Sequence, residues 1–176
     1  SSQQAKVMAT NLQTKTIDYN TLEVKWTKVE NAEKYLVYRS INGGEFKEYK
    51  TLTTNSFQMD NAQTGLTYAF KVKTWVKTKY GVLDCPVSSV VSSKTSLNDK
   101  VELKMEGVGN TKFKLSWNKV SGATAYCLYI SDKSGNYQKT KVLDDDELSY
   151  TTNVLTPETY SFKVQAARYS GAKRVY

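Results

Sequence analysis

The sequence predicts an all-β chain built as two antiparallel sandwiches in tandem. Three observations carry this: a strand-forming composition, an internal repeat, and an apolar period of two within each repeat. The 176 residues include thirteen Tyr and only two Pro, and Val and Thr are plentiful, a mixture that suits pleated, half-buried segments. Stretches of Ala, Leu and Glu with a helical period are missing. At this length one domain or two small ones can each bury a usable core.

The repeat sets the organisation. Residues 22–29 read LEVKWTKV and residues 113–120 read FKLSWNKV, so Trp26 answers to Trp117. Ala32, Tyr35 and Tyr38 answer to Ala123, Tyr126 and Tyr129, and Gly44 and Phe46 to Gly135 and Tyr137, all at an offset of 91. Tyr68, Phe70 and Val72 then meet Tyr160, Phe162 and Val164 at an offset of 92. Two homologous modules follow, 1–96 and 97–176.

Within each module Val24 and Trp26 alternate with Glu23 and Lys25, and Tyr68, Phe70 and Val72 alternate with Ala69, Lys71 and Lys73. Such alternation places one strand face on a core and the other in water. Turn material separates the runs: Asn42-Gly43-Gly44, Thr53–Ser56, Lys133–Asn136 and Ser170-Gly171-Ala172. About seven short strands in roughly ninety residues read as an immunoglobulin-like sandwich.

Each half resembles a fibronectin type III module of the kind arrayed in bacterial extracellular proteins and carbohydrate-active enzymes. The residues that carry the resemblance are Trp26 and Trp117 on the second strand and the V-x-x-A-x-x-Y runs Val29/Ala32/Tyr35 and Val120/Ala123/Tyr126. Tyr68 and Tyr160 sit where this family places its tyrosine corner. The approach Leu155-Thr156-Pro157-Glu158-Thr159-Tyr160 is one residue short of the family's pattern, and Ala62 to Tyr68 keeps the full spacing with Ala62 and Thr64 for the usual Leu and Pro. The resemblance implies that Trp26, Trp117, Tyr35, Tyr126, Tyr68 and Tyr160 are core, with the Tyr68 and Tyr160 hydroxyls on backbone groups. In the first module Cys85–Ser93 reads as the final strand, G. The second module reaches only Lys173-Arg174-Val175-Tyr176, so its final strand is expected to be missing or to lie beyond the chain, its place taken either by later residues of a parent protein or by a donated strand. The link around Ser92–Asp99 is neither Gly-rich nor Pro-rich and suggests limited bending.

Chemistry is narrowed by what is absent. There is no histidine, which removes Ser-His-Asp and Cys-His arrangements and most catalytic zinc sites. Cys85 and Cys127 form no CxxC pair and read as inert small apolar residues in different modules. The acidic run Asp144-Asp145-Asp146-Glu147 lacks the alternating ligands and turn glycine of a calcium loop and reads as a solvated turn. No cofactor and no enzymatic activity are expected. The formal net charge of +8 divides into 13 cations against 8 anions in residues 1–96 and 12 against 9 in 97–176. That spread differs from the dense basic patch of a nucleic-acid binder. No apolar run is long enough to insert into a membrane, and the first residues, Ser1–Ala5, carry no signal-peptide pattern, which does not exclude secretion.

One stretch stands out as a candidate surface. Lys71, Lys73, Trp75, Lys77 and Lys79 share one parity and point outward together as far as the strand persists, with Leu36 and Tyr38 outward on the neighbouring strand. An exposed aromatic among lysines suits a sugar ring or an anionic polymer; lysine stems covering Trp75 would make the same pattern a solvated sheet face. The matching positions Lys163, Gln165, Ala167 and Tyr169 indicate that the fold does not require the stripe. The family resemblance implies a secreted or cell-surface spacer and interaction pair. It would position an adhesive head or the catalytic domain of a carbohydrate-active enzyme, or stand in a phage virion array. The partners are then neighbouring domains of a parent protein, with a polysaccharide or a host or cell-surface protein as further candidates.

Overall fold

A computed structural model describes residues 7–97, 99–156, 158–170 and 173–176. The N-terminal Ser1–Ala5, Asn98 of the expected link, Pro157 of the approach to Tyr160, and Gly171 and Ala172 of the last expected turn lie outside them. All described elements are strands. The chain divides into Ser1–Thr95 and Ser96–Tyr176.

In the first module one sheet has the order β1 (Gln13–Thr16), β2 (Leu22–Lys25), β5 (Ser56–Met59). The other runs β4 (Lys47–Leu52), β3 (Ala32–Ile41), β6 (Thr67–Thr78), β7 (Gly81–Asp84), with β8 (Val91–Lys94) also paired to β6. The second module repeats this plan. Its sheets are β13 (Ser149–Thr151), β10 (Lys112–Ser116), β9 (Lys104–Val108) and β12 (Tyr137–Asp144), β11 (Ala125–Ser131), β14 (Phe162–Ser170), β15 (Lys173–Val175). All pairings are antiparallel.

The alternation read from the sequence fills the space between the sheets. Leu22, Val24, Val37, Phe70 and Val72 are fully buried in the first core, and Leu115, Val120, Tyr126 and Leu128 in the second. Trp26 meets Tyr35 edge-on at 5.2 Å between centroids, and Trp117 meets Tyr126 at 5.6 Å. Such pairs add to the area they bury because ring edges are electropositive and ring faces electronegative.

The V-x-x-A-x-x-Y spacing has a physical reason. Between the second and third strands the chain must turn inside an apolar layer, and its N–H groups still need acceptors. The Ala32 N–H donates to the Val29 carbonyl at 3.3 Å and the Ala123 N–H to Val120 at 3.1 Å. The residue between is left-handed in both, Asn31 at φ 56° and Gly122 at φ 79°, the residue types that adopt this conformation most readily. The Val29 N–H donates to the Tyr35 hydroxyl at 2.9 Å, and the Val120 N–H to the Tyr126 hydroxyl at 2.8 Å. Each tyrosine thus fills the core with its ring and closes the corner with its oxygen.

Strand G of the first module differs from the continuous Cys85–Ser93 read in the sequence. β7 lies before that run, and within it only Val91–Ser93 are strand, as part of β8, because Pro86 has no N–H to give the ladder. Between the two pieces the Cys85 N–H reaches the Thr74 carbonyl at 3.0 Å and the Ser88 N–H the Val72 carbonyl at 2.8 Å, while the Val72 N–H donates to the Ser88 hydroxyl at 2.9 Å. In the second module β15 pairs Lys173–Val175 with Arg168–Ser170 and corresponds to β7; a counterpart of β8 does not occur among the described residues. The link is also shorter than Ser92–Asp99. Ser92–Lys94 belong to β8, Thr95 is fully buried with its hydroxyl on the Gln63 carbonyl at 3.1 Å, and Leu97 packs on the second core.

Tyr68 takes up the expected corner, its hydroxyl accepting the Gln63 N–H at 2.8 Å. Tyr160 does not. It is half-buried, and its hydroxyl pairs with the Thr156 hydroxyl at 2.8 Å rather than with the backbone. The N–H that Tyr68 finds five residues back is here that of Leu155, which donates instead to the Thr111 carbonyl at 2.8 Å. Tyr35→Phe or Tyr126→Phe strips a buried N–H of its acceptor and is expected to cost its own module about 1–3 kcal/mol. The check is urea unfolding followed through amide signals of each module. Tyr160→Phe is expected to stay within about 0.5 kcal/mol, and equal losses in all three would contradict this assignment.

Candidate functional site

The outward face of the first module's larger sheet is set by the β3–β6 register, which places Tyr38 beside Lys71, Leu36 beside Lys73 and Lys34 beside Trp75. β6 alternates between half-buried outward and fully buried inward residues up to Val76. Lys71, Lys73, Trp75 and Lys77 therefore share the face as expected, with Leu36 and Tyr38 half-buried beside them. Lys79 lies past the end of β6 and leans on Tyr80, its ammonium 4.8 Å from that ring.

Trp75 is half-buried, and two ammonium groups occupy its ring: Lys34 at 5.0 Å and Lys73 at 5.3 Å. Lys73 is fixed there by Asp84 across the β6–β7 hairpin, at 3.0 Å. The hydrogen bond from Lys73 to Asp84 holds the ammonium above its usual pKa, against a smaller opposing effect of burial. Lys77 lies 3.8 Å from Glu33. Lys71 sits 4.5 Å from the Phe46 ring and 5.5 Å from Tyr38. The arrangement is a row of cation–aromatic contacts, worth about 0.5–1 kcal/mol each where exposed, in which lysine stems also shield the rings.

Lys34, Phe46 and Asp84 belong to this face although the sequence reading did not single them out. Lys34 shares the parity of Leu36 and Tyr38, and its place opposite Trp75 continues their register, so the period of two carried its signal. Asp84 had a weaker signal, being a lone carboxylate across the hairpin from four lysines.

The remaining candidates resolve locally. Cys85 and Cys127 are free and buried in different modules, and burial raises the Cys85 thiol pKa. In the acidic run the Asp144 N–H donates to the Glu147 carboxylate at 2.9 Å and Asp145 lies 3.9 Å from Lys119, so two of its carboxylates serve the turn and a surface pair. Among the described residues no three His, Cys, Asp or Glu side chains are grouped to hold a metal ion. A concavity of about 420 Å³ between Asp132 and Ser161 is bridged by Lys133 and Glu158 at 2.7 Å. Asp132 there accepts the Ser134 and Asn136 N–H groups at 2.8 and 2.9 Å, and these bonds, that from Asn136 foremost, hold its carboxyl below the usual range. It shapes a loop.

Residues 16–80 match the family model of the PBP1-like, fibronectin3-like domain. No curated protein sequence matches the chain. A two-fibronectin type-III domain segment from chicken tenascin superposes with a TM-score of 0.52 at 12% identity, covering 96% of this chain and 94% of that one. The FN1–FN3 domains of chicken CNTN1 are 18% identical with a TM-score of 0.42, over 97% of this chain and 66% of that one. No helix among the described residues is long and apolar enough to cross a membrane. With the strand order and the paired tyrosine-closed corners, the chain has the fold of two fibronectin type III modules in tandem, as in the tenascin segment, and its residues 16–80 match the family model.

Proposed function

We propose that this pair is a non-catalytic spacer and interaction segment of a secreted or cell-surface bacterial protein, holding a neighbouring catalytic or adhesive domain in position. The observation that carries this reading is where the polar side chains are spent. Tyrosine hydroxyls close the corners in both modules, Asp132 and Glu147 close turns, and the most suggestive surface aromatic, Trp75, is occupied by its own lysines. A framework that satisfies itself in this way suits a rigid element of fixed length. The tandem architecture is compatible with it, because the fold itself implies no chemistry and any activity would rest on a site placed upon it.

Carbohydrate or anionic-polymer binding by the first module's face is the second reading. It rests on Lys71 and Lys79, which form no ion pair with a carboxylate among the described residues.

In the protein that carries the pair, exchange of residues 1–176 for an unrelated tandem fibronectin type III segment of equal length is expected to preserve activity or adhesion. A flexible Gly/Ser linker is expected to reduce it, and full activity with the flexible linker would overturn the spacer reading. For the occupied face, Asp84→Asn is expected to lower the Lys73 pKa toward its ordinary value, measured by ¹³Cε NMR titration. The raised native value contributes stability that is complete below the unfolded pKa near 10.5 and is lost as pH rises through the native value. The variant should lose that alkaline dependence. An unmoved Lys73 titration would remove Asp84 as the group that pins it.

A further inference from the structure

The larger sheet of the first module ends, among the described residues, on a strand with one side open. β7 pairs with β6, Leu83 beside Val76 and Asp84 beside Trp75, and has no strand on its other side. The Cys85 N–H turns toward β6 to reach the Thr74 carbonyl at 3.0 Å. In an antiparallel ladder successive residues direct their backbone groups to opposite sides. Gly81 and Leu83 therefore face β6, while Val82 and Asp84 direct their N–H and C=O groups to the open side. The side chains along this edge are apolar and exposed on both faces. Val82 stands outward beside Lys77 at 53% exposure, and Leu83 stands inward beside Val76 at 49%. At the hairpin tip Tyr80 keeps 87% of its surface in solvent.

Edge strands are commonly guarded by charge, which discourages pairing with another chain. The opposite edge of the same sheet, β4, carries Lys47, Glu48 and Lys50. In the second module Arg174 on β15 takes the place that Val82 has on β7. β7 carries a single charge, Asp84, and Lys73 answers it at 3.0 Å. Two copies of this edge therefore meet without local like-charge repulsion.

Only a second strand covers such an edge completely. A flat apolar surface would shield Val82 or Leu83 but not both, since they leave on opposite faces. A lipid interface would take both side chains and leave the Val82 and Asp84 backbone groups unpaired in an apolar medium. An added strand supplies backbone partners and flanks both faces. The edge is also complementary to itself. Antiparallel pairing about a two-fold axis at Leu83 sets Val82 opposite Asp84 of the second copy, each such pair exchanging both of its backbone hydrogen bonds. Leu83 then meets its own counterpart at the close, non-hydrogen-bonded spacing. Pro86, with no N–H, ends the ladder.

We propose that the chain self-associates through β7, which pairs antiparallel with β7 of a second copy and joins the two β4-β3-β6-β7 sheets into one. This goes beyond the spacer reading, which stands or falls on the linker exchange alone. With four residues in β7 the pairing is far smaller than a standard interface, so half-association is expected at about 0.1–1 mM.

Sedimentation equilibrium and ¹H–¹⁵N NMR of the whole chain from about 0.02 to about 2 mM, in about 0.15 M salt to screen its net charge, test it. A monomer–dimer equilibrium is expected, with the Val82 and Asp84 amide signals moving as they gain acceptors. Leu83→Lys, which sets two ammonium groups face to face, should weaken association about tenfold or more. Val82→Asp, which sets a carboxylate against Asp84 of the second copy, should do the same, and its solvent-exposed position guards against misfolding of the Leu83 variant. Val154→Asp, at a valine of the second module with 66% exposure, should leave association within about twofold. Vesicles of phosphatidylcholine and phosphatidylglycerol should not retain the chain. A monomer throughout, fixed Val82 and Asp84 signals while a dimer forms, an equal loss from Val154→Asp, or retention on the vesicles that Val82→Asp abolishes would each overturn the proposal.

Discussion

Each sandwich depends on one hydrogen bond made twice, the valine N–H to the hydroxyl of the tyrosine six residues on, Val29 to Tyr35 and Val120 to Tyr126. A chain leaving one sheet for the other must pass through the apolar layer between them, where an unpaired N–H costs about as much as the whole net gain from a good hydrogen bond. The tyrosine resolves the conflict because its ring belongs in the core and its oxygen does not. Its ring packs against the tryptophan just past the preceding strand, edge-on in the first module and tilted in the second, so the same side chain fixes the corner and the inter-sheet spacing. Once that corner is set, the strand that follows it has one available register, and the outward face inherits its parity.

Outside this frame the two modules diverge, and they do so on the solvent side. The first surrounds Trp75 with lysines that are themselves answered by carboxylates. The second places small residues at the matching outward positions of β11 and β14 and lays β15 and Tyr176 beside them, with Lys139 donating to the Tyr176 hydroxyl and Arg174 to that of Tyr169. The two modules thus share their closed corners and differ in their outer faces, where a change of side chain leaves the core untouched.

How much of this was legible follows from the range of each interaction. The repeat, the two-residue alternation and the V-x-x-A-x-x-Y spacing are local patterns, and they place Trp26, Tyr35, Tyr68, Trp117 and Tyr126 in the core where they are found. Tyr160 departs because the Leu155 N–H five residues back is spent on the Thr111 carbonyl, a long-range pairing that the spacing does not reveal. The split of strand G follows from Pro86, whose missing N–H was in plain view within a run read as continuous. The lysine parity was readable, and the same parity places Lys34 opposite Trp75, whereas the Lys73–Asp84 pair needed the hairpin register. The Arg174–Tyr176 cluster was least legible of all. Its signal was a run of outward small residues, Ala125, Cys127 and Ala167, which makes sense only once something is known to lie over them.

The frame is tested most directly by native-state hydrogen exchange of the Val29 and Val120 amides, which lie between strands rather than within them. With the tyrosine hydroxyls as acceptors in a buried corner, both amides should exchange as slowly as those of the central strands β3 and β11, through opening of the whole module. Exchange at the rate of an exposed loop at either valine would contradict the dependence of the sandwich on that bond.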